Sequence, residues 1–170
     1  APYVSDRDRV QLDAEGSIQY GMYYWDDNYP DSHVFAEGEC LRKTFDPDFM
    51  LYHTMAVDEW GHMKGADSAE YANAVAAVGH LIAARMPEWL EKGYQVVVTA
   101  DHGMNNLGIH VGTEYAQREV ALYIFSDKVE NGRFEENYIS QLNVAPLVCK
   151  LMGVPATEGM KQELEIVFSK

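Results

Sequence analysis

Apolar positions along this chain follow two rhythms, and the predicted elements lie where one gives way to the other. Phe49 to His53, Gln95 to Ala100 and Glu119 to Ser126 are compact apolar runs, too short for helices, and the last two are rich in β-branched or aromatic residues. Each predicts a strand. Between the first two runs, Val75, Val78, Ile82 and Met86 recur at helical spacing within an alanine-rich stretch, predicting a helix from Asp67 to Lys92. Asp67 or Ser68 caps it, Glu70 lies in its first turn and Gly93 ends it, with a kink or restart at Pro87. Strand, helix and strand then form a βαβ unit, and the fold class is α/β, an open, mostly parallel sheet with flanking helices.

The flanks are less regular. Gln19 to Trp25 is strand-like, and Asn28-Tyr-Pro-Asp31 reads as a turn. Asp31 or Ser32 then caps a loose helix, with a face of Val34, Phe35, Cys40 and Leu41, that runs to about Lys43 and is broken by Asp46-Pro47-Asp48. Lys128 to Glu136 is a charged connection, and Tyr138 to Met152 a helix stopped by Gly153 and Pro155. The last fifteen residues fit either an amphipathic helix or extended chain.

Composition narrows this picture only slightly. A length of 170 residues is that of a single domain, spanning 1–170, with residues 1–45 peripheral to it. The balance of 13 basic against 27 acidic residues gives −14, a soluble acidic surface that argues against a nucleic-acid partner. Cys40 and Cys149 lack zinc or redox spacing and read as reduced core residues, weakly favouring a reducing, cytoplasmic setting. No apolar run approaches the ~18 residues of a membrane span, so no membrane association is expected. Oligomeric state is not written in the sequence.

Chemistry gathers at the strand ends. In Asp58-Glu-Trp-Gly-His62 the four-residue step puts a carboxylate and an imidazole on one face of a helical turn, within reach of one ion. Such a pair alone is commonly a surface hydrogen bond. Asp101-His102-Gly103 follows the Val96-Val-Val-Thr99 run, where α/β sheets bind ligands, and the two side chains converge only if the strand has ended there. The alternative is that Asp101 caps a helix, although Gly103-Met-Asn-Asn-Leu-Gly108 is a poor helix start. His110, set between Gly108 and Gly112, would alone be an ordinary loop histidine. Two carboxylate–histidine pairs after two strands, with a third histidine close behind, make metal binding the better reading. His53 and His80 read as packing or hydrogen-bonding residues and His33 as exposed. Trp60 and Trp89 read as partial core.

Asp58-x-x-x-His62, Thr99-Ala-Asp-His-Gly-Met104, His110-x-Gly and Glu119-Val, in that order, resemble the alkaline phosphatase superfamily. Within it, the pattern is most similar to the type I phosphodiesterase/nucleotide pyrophosphatase family, over roughly Asp48 to Val154. The resemblance implies two divalent metal ions, zinc first and manganese as the alternative. Asp58, His62 and His110 would hold one, and Asp101 and His102 would belong to the other. It implies hydrolysis of a small phosphate-ester or nucleotide substrate, with phosphomutase, phosphomonoesterase or sulfatase chemistry as related alternatives. A non-catalytic metal-binding module is the rival from another class. The family's nucleophilic threonine or serine has no counterpart here in a matching context. Thr54, Thr99 and Thr113 do not stand in one, so the chain reads as the C-terminal part of the catalytic domain, with the N-terminal half of the fold incomplete and the nucleophile expected upstream.

Overall fold

A computed structural model describes residues 9–132, 138–160, 164, 166, 168 and 169. The end of the charged connection (133–136) and six of the last ten residues lie outside the described residues. The elements run β1 (Val10–Leu12), β2 (Tyr20–Met22), α1 (Asp31–Phe45), α2 (Ala56–Lys64), α3 (Ala69–Glu91), β3 (Val96–Thr99), α4 (Tyr115–Arg118), β4 (Leu122–Phe125) and α5 (Val144–Met152). The chain divides into two compact units, one of residues 1–85 and 102–119, the other of residues 86–101 and 120–170. No helix among the described residues is long and apolar enough to cross a membrane.

The first unit is organised around α1. Phe35, 2% exposed, is its largest fully buried side chain, with the Tyr52 ring 5.2 Å away and the Arg85 guanidinium over its face at 5.4 Å. Burying a phenylalanine contributes about 1.5–3 kcal/mol. Tyr20 of β2 stacks on Phe45 at 3.8 Å, which ties the antiparallel β1–β2 ribbon to the end of α1. A bidentate ion pair also lies here: Arg42, itself buried, donates to both oxygens of Glu39 (3.0 and 2.8 Å), and the Tyr52 hydroxyl donates to Glu39 at 3.1 Å. Burial, then the negative charge of Glu39, raises the Tyr52 phenol above its ordinary pKa.

Asp31 does not cap its own helix. It occupies the first turn of α1, and its Oδ1 accepts from the backbone N–H groups of Met55 and Ala56, at 3.1 and 3.3 Å. These are orphan donors at the start of α2, where no local side chain supplies a cap. A carboxylate there also complements the positive end of the helix dipole. The cap for α3 is the expected one, with Ser68 Oγ accepting from Tyr71 N at 3.1 Å. α3 continues through Pro87, and its buried positions are Ala74 and Trp89, whereas Val75 is 48% exposed.

In the second unit β3 pairs with β4, Val96 opposite Phe125 through Thr99 opposite Leu122, and the pairing is antiparallel. Leu147, fully buried, and Leu151 on α5 supply its core together with Trp89. A 3₁₀ turn over Gln141–Asn143 opens α5, so the helix expected from Tyr138 begins at Val144. Gly93 and Gly153 end α3 and α5 as expected.

Three expectations need correction. Phe49 to His53 forms no strand, so the βαβ unit is not made. Leu51 in that run is 77% exposed and Phe49 53%, whereas a central parallel strand is covered on both faces. Among the described residues the strand pairings are antiparallel, in two small two-stranded sheets, and the mostly parallel sheet is not formed there. Cys40 is exposed rather than core, while Cys149 is half-buried, and both are free thiols.

Candidate metal centre

Helix α2 presents the first pair. The i,i+4 step brings His62 Nε2 to 3.5 Å from Asp58 Oδ2. Gly61, between them in sequence, is buried because Met104 packs onto it. A Cβ at Gly61 would sit 2.8 Å from Met104 Cε and 3.2 Å from the Tyr71 ring. The Asp-Glu-Trp-Gly-His sequence thus gives α2 a ligand face and a bare notch that admits the methionine of Asp-His-Gly-Met.

The loop that follows brings the other histidines to the same carboxylate. His102 Nε2 lies 3.8 Å and His110 Nε2 4.0 Å from Asp58 Oδ1. The His102 and His110 rings stack at 3.7 Å with planes 10° apart, and His62 meets His110 edge-on at 5.0 Å. Ligand atoms of Asp58, His62 and His110 all lie within 4.8 Å of one another. Four of the five expected site residues are therefore brought together within one unit. Asp101, described with the other unit, is exposed, and its backbone carbonyl accepts from Gln141 Nε2 at 3.0 Å. No α-helix follows it before Tyr115, so Asp101 is not a helix cap.

The donor set suits a divalent cation. Bonds of about 2.1 Å in tetrahedral array put ligand atoms about 3.4 Å apart, close to the separations around Asp58. Asp58 Oδ1 is buried and has no hydrogen-bond donor. A buried acceptor left bare costs about 1–3 kcal/mol, and a cation between it and the imidazoles would remove that cost. The imidazoles are also oriented for the task. His62 Nδ1 is 2.8 Å from Gly108 O and His102 Nδ1 is 3.0 Å from Gly103 O. A backbone carbonyl accepts only from a protonated Nδ1, so Nε2 is in each ring the nitrogen turned toward Asp58 and the one an ion would take. Tyr71 borders the cluster, and burial, then the Asp58 charge, holds its phenol above the usual range.

Gly108 makes this closeness possible. Its φ is +72°, and a Cβ there would lie 2.7 Å from His62 O and 2.9 Å from Gly61 O, so its backbone lies flat against α2. Asn105 and Gln117, both buried, hydrogen-bond the same loop, and Asp31 caps the helix opposite. Asn105 and Gln117 were not singled out from the sequence, and Asp31 was read only as a cap of its own helix. A buried polar residue there looks like any loop or helix-start residue in the sequence. His53 hydrogen-bonds the Tyr24 hydroxyl at 2.7 Å, His33 and His80 are exposed, Trp60 is half-buried and Trp89 is buried.

Comparison with known proteins bears on what this cluster serves. The sequence model described as type I phosphodiesterase / nucleotide pyrophosphatase matches residues 12–146. Among curated proteins, the chain is 27% identical over 157 residues to the mouse GPI ethanolamine phosphate transferase 3, catalytic subunit, covering 88% of this chain and 14% of that protein. It is 29% identical over 115 residues to the human GPI ethanolamine phosphate transferase 3, catalytic subunit, covering 66% of this chain and 10% of that protein. A GPI ethanolamine phosphate transferase 2 from Debaryomyces hansenii is 25% identical over 121 residues, covering 64% of this chain and 14% of that protein. The chain thus spans about a seventh or less of these relatives. No solved structure matches it.

Proposed function

This chain belongs to the type I phosphodiesterase/nucleotide pyrophosphatase family, and from that premise we propose that it carries the metal-binding part of an enzyme that cleaves a phosphate diester and passes the phosphorus-bearing group to an acceptor hydroxyl. The observation that carries the reading is the bare Asp58 Oδ1, faced by His102 and His110 while Oδ2 faces His62. The relatives' names favour ethanolamine phosphate as the group transferred. In such a transfer the bond from phosphorus to the donor's leaving oxygen breaks, a bond to the acceptor oxygen forms, and the proton of the acceptor passes to the leaving alkoxide. Zinc fits the two histidines of the Asp58–His62–His110 set, and manganese suits the same mixed ligands. When bound, the ion would supply Lewis-acid polarisation of the phosphoryl oxygens. The chain's own residues hold and orient: α2 fixes Asp58 and His62, and the 102–110 loop brings the imidazoles of His102 and His110 to the Asp58 carboxylate. The nucleophilic hydroxyl is assigned to sequence outside these 170 residues, because no Thr or Ser here matches the family context.

Hydrolysis, with water in the acceptor's place, is the second reading, and the family's phosphodiesterase and pyrophosphatase members favour it. Both are tested with the complete gene product and a diester of labelled ethanolamine phosphate. Label moving into an added alcohol supports transfer; label appearing as free ethanolamine phosphate supports hydrolysis. Either reaction should stop with a chelator and return with zinc or manganese. Turnover indifferent to chelation would overturn the metal-centred reading.

A further inference from the structure

Resting on that metal-site reading, we infer that Asn105 and Gln117 are positioning residues of the centre, a pair of buried amides that fix the backbone delivering His110. The two side chains are 7% and 5% exposed, and both work on the loop between His102 and Glu114. Asn105 Oδ1 accepts from Leu107 N at 3.1 Å and from Ile109 N at 2.9 Å, while its Nδ2 donates to Glu114 Oε2 at 3.0 Å. Gln117 Nε2 donates to Ile109 O at 3.1 Å, and its Oε1 accepts from Glu114 N at 3.1 Å. Ile109, the residue before His110, thus has its N–H and its C=O both held by side chains.

Met104 anchors the start of this loop by burial, but hydrophobic burial does not order the stretch that carries His110. Leu107 and Val111 are each 80% exposed, Tyr115 62% and Ile109 43%. With these four side chains exposed, the restraints beyond Met104 are polar, and a buried amide with its partners in place is a stiff one. The stiffness matters because one short segment has two simultaneous tasks. Gly108 must offer its carbonyl to His62 Nδ1, and His110 must bring Nε2 to the Asp58 carboxylate. A shift of a few tenths of an ångström at Ile109 would spoil both. In Asn105 and Gln117 the chain therefore has an outer layer acting on two ligands at once.

The test is zinc affinity, read by competition with a chromophoric chelator, together with thermal unfolding. Asn105→Ala and Gln117→Ala should each weaken zinc binding by about 10–100-fold, the range for loss of outer-layer partners. Leu147→Ala, which opens the core of the second unit, should lower the melting temperature at least as much and leave zinc affinity unchanged. Asn105→Asp combined with Glu114→Gln keeps the acceptor for both backbone N–H groups, restores a donor–acceptor pair and leaves net charge unaltered. It should return affinity to within about threefold of the parent, against the 10–100-fold loss of the single change. If the unaltered protein bound no divalent ion, the metal-site reading would fall. If it bound zinc but the two alanine variants bound equally well, or Leu147→Ala weakened binding as much, or the paired change restored nothing, the positioning role alone would be overturned.

Discussion

Asp58 is where sequence spacing and three-dimensional geometry meet most directly. Its two oxygens divide three imidazoles between them, and one oxygen has no donor of its own. In the proposed reading a cation fills that place. Replacing His110 with Ala removes a ligand without opening a core, since His110 is half-exposed. Zinc affinity measured by calorimetry should fall by more than the about 10–100-fold expected for an outer-layer change, while the melting temperature of the metal-free protein stays within a degree or two. Unchanged metal content would remove His110 from the ligand set. The clustered side chains were legible because their signature is local, a four-residue step and a histidine closing a β-branched run, whereas Asp101 beside that histidine does not join them. Asn105 and Gln117 were not legible, and Asp31 was read as a cap of its own helix, because what distinguishes all three is burial, and burial of a polar side chain is set by segments elsewhere in the sequence.

Among the elements, α2 depends most on its neighbours. It has nine residues, fewer than the about 12–15 at which an isolated helix becomes marginally stable, and its N-terminal donors are satisfied from α1. Asp31→Ala should cost about 0.5–2 kcal/mol, the range for losing a helix cap, seen as a lower midpoint in urea; an unaltered midpoint would show the contact to be incidental. The Glu39–Arg42–Tyr52 group gives α1 a sensitivity to alkali. The folded-state pKa of Tyr52 is raised, so its contribution is fully present below the ordinary phenol value near 10 and is lost as pH climbs through the folded value. Tyr52→Phe should flatten the fall in stability above about pH 10, while costing about 1 kcal/mol at neutral pH through the donor lost to Glu39. An equally steep alkaline fall in the variant would place the sensitivity elsewhere. Strands were harder to read than helices. Val96 to Thr99 announces itself by β-branching, but an apolar run says nothing about the direction of its partner, and the same kind of run at Phe49 to His53 forms no strand. The helices were legible because a 3.6-residue period and their end signals are local, as at Ser68 and Gly93.

At the scale of the whole molecule, a formal charge of −14 sets self-repulsion against folding, and a bound cation works in the opposite direction. Zinc at about 100 times its dissociation constant should stabilise the protein by about 2.7 kcal/mol, and a chelator should reverse the rise in melting temperature. A midpoint indifferent to both would mean that the ion does not bind the folded state preferentially. The Asp31 cap has one more consequence, in the order in which the chain assembles. The contact joins residues 24 and 25 positions apart, and it cannot form until α1 has been laid against the segment leading into α2. α2, too short to persist alone, would then be a late arrival, and its Asp58–His62 face would exist as a pair only near the native side of the folding barrier. In stopped-flow experiments Asp31→Ala should accelerate unfolding and leave the refolding rate nearly untouched, whereas slowed refolding would put the cap in the nucleus.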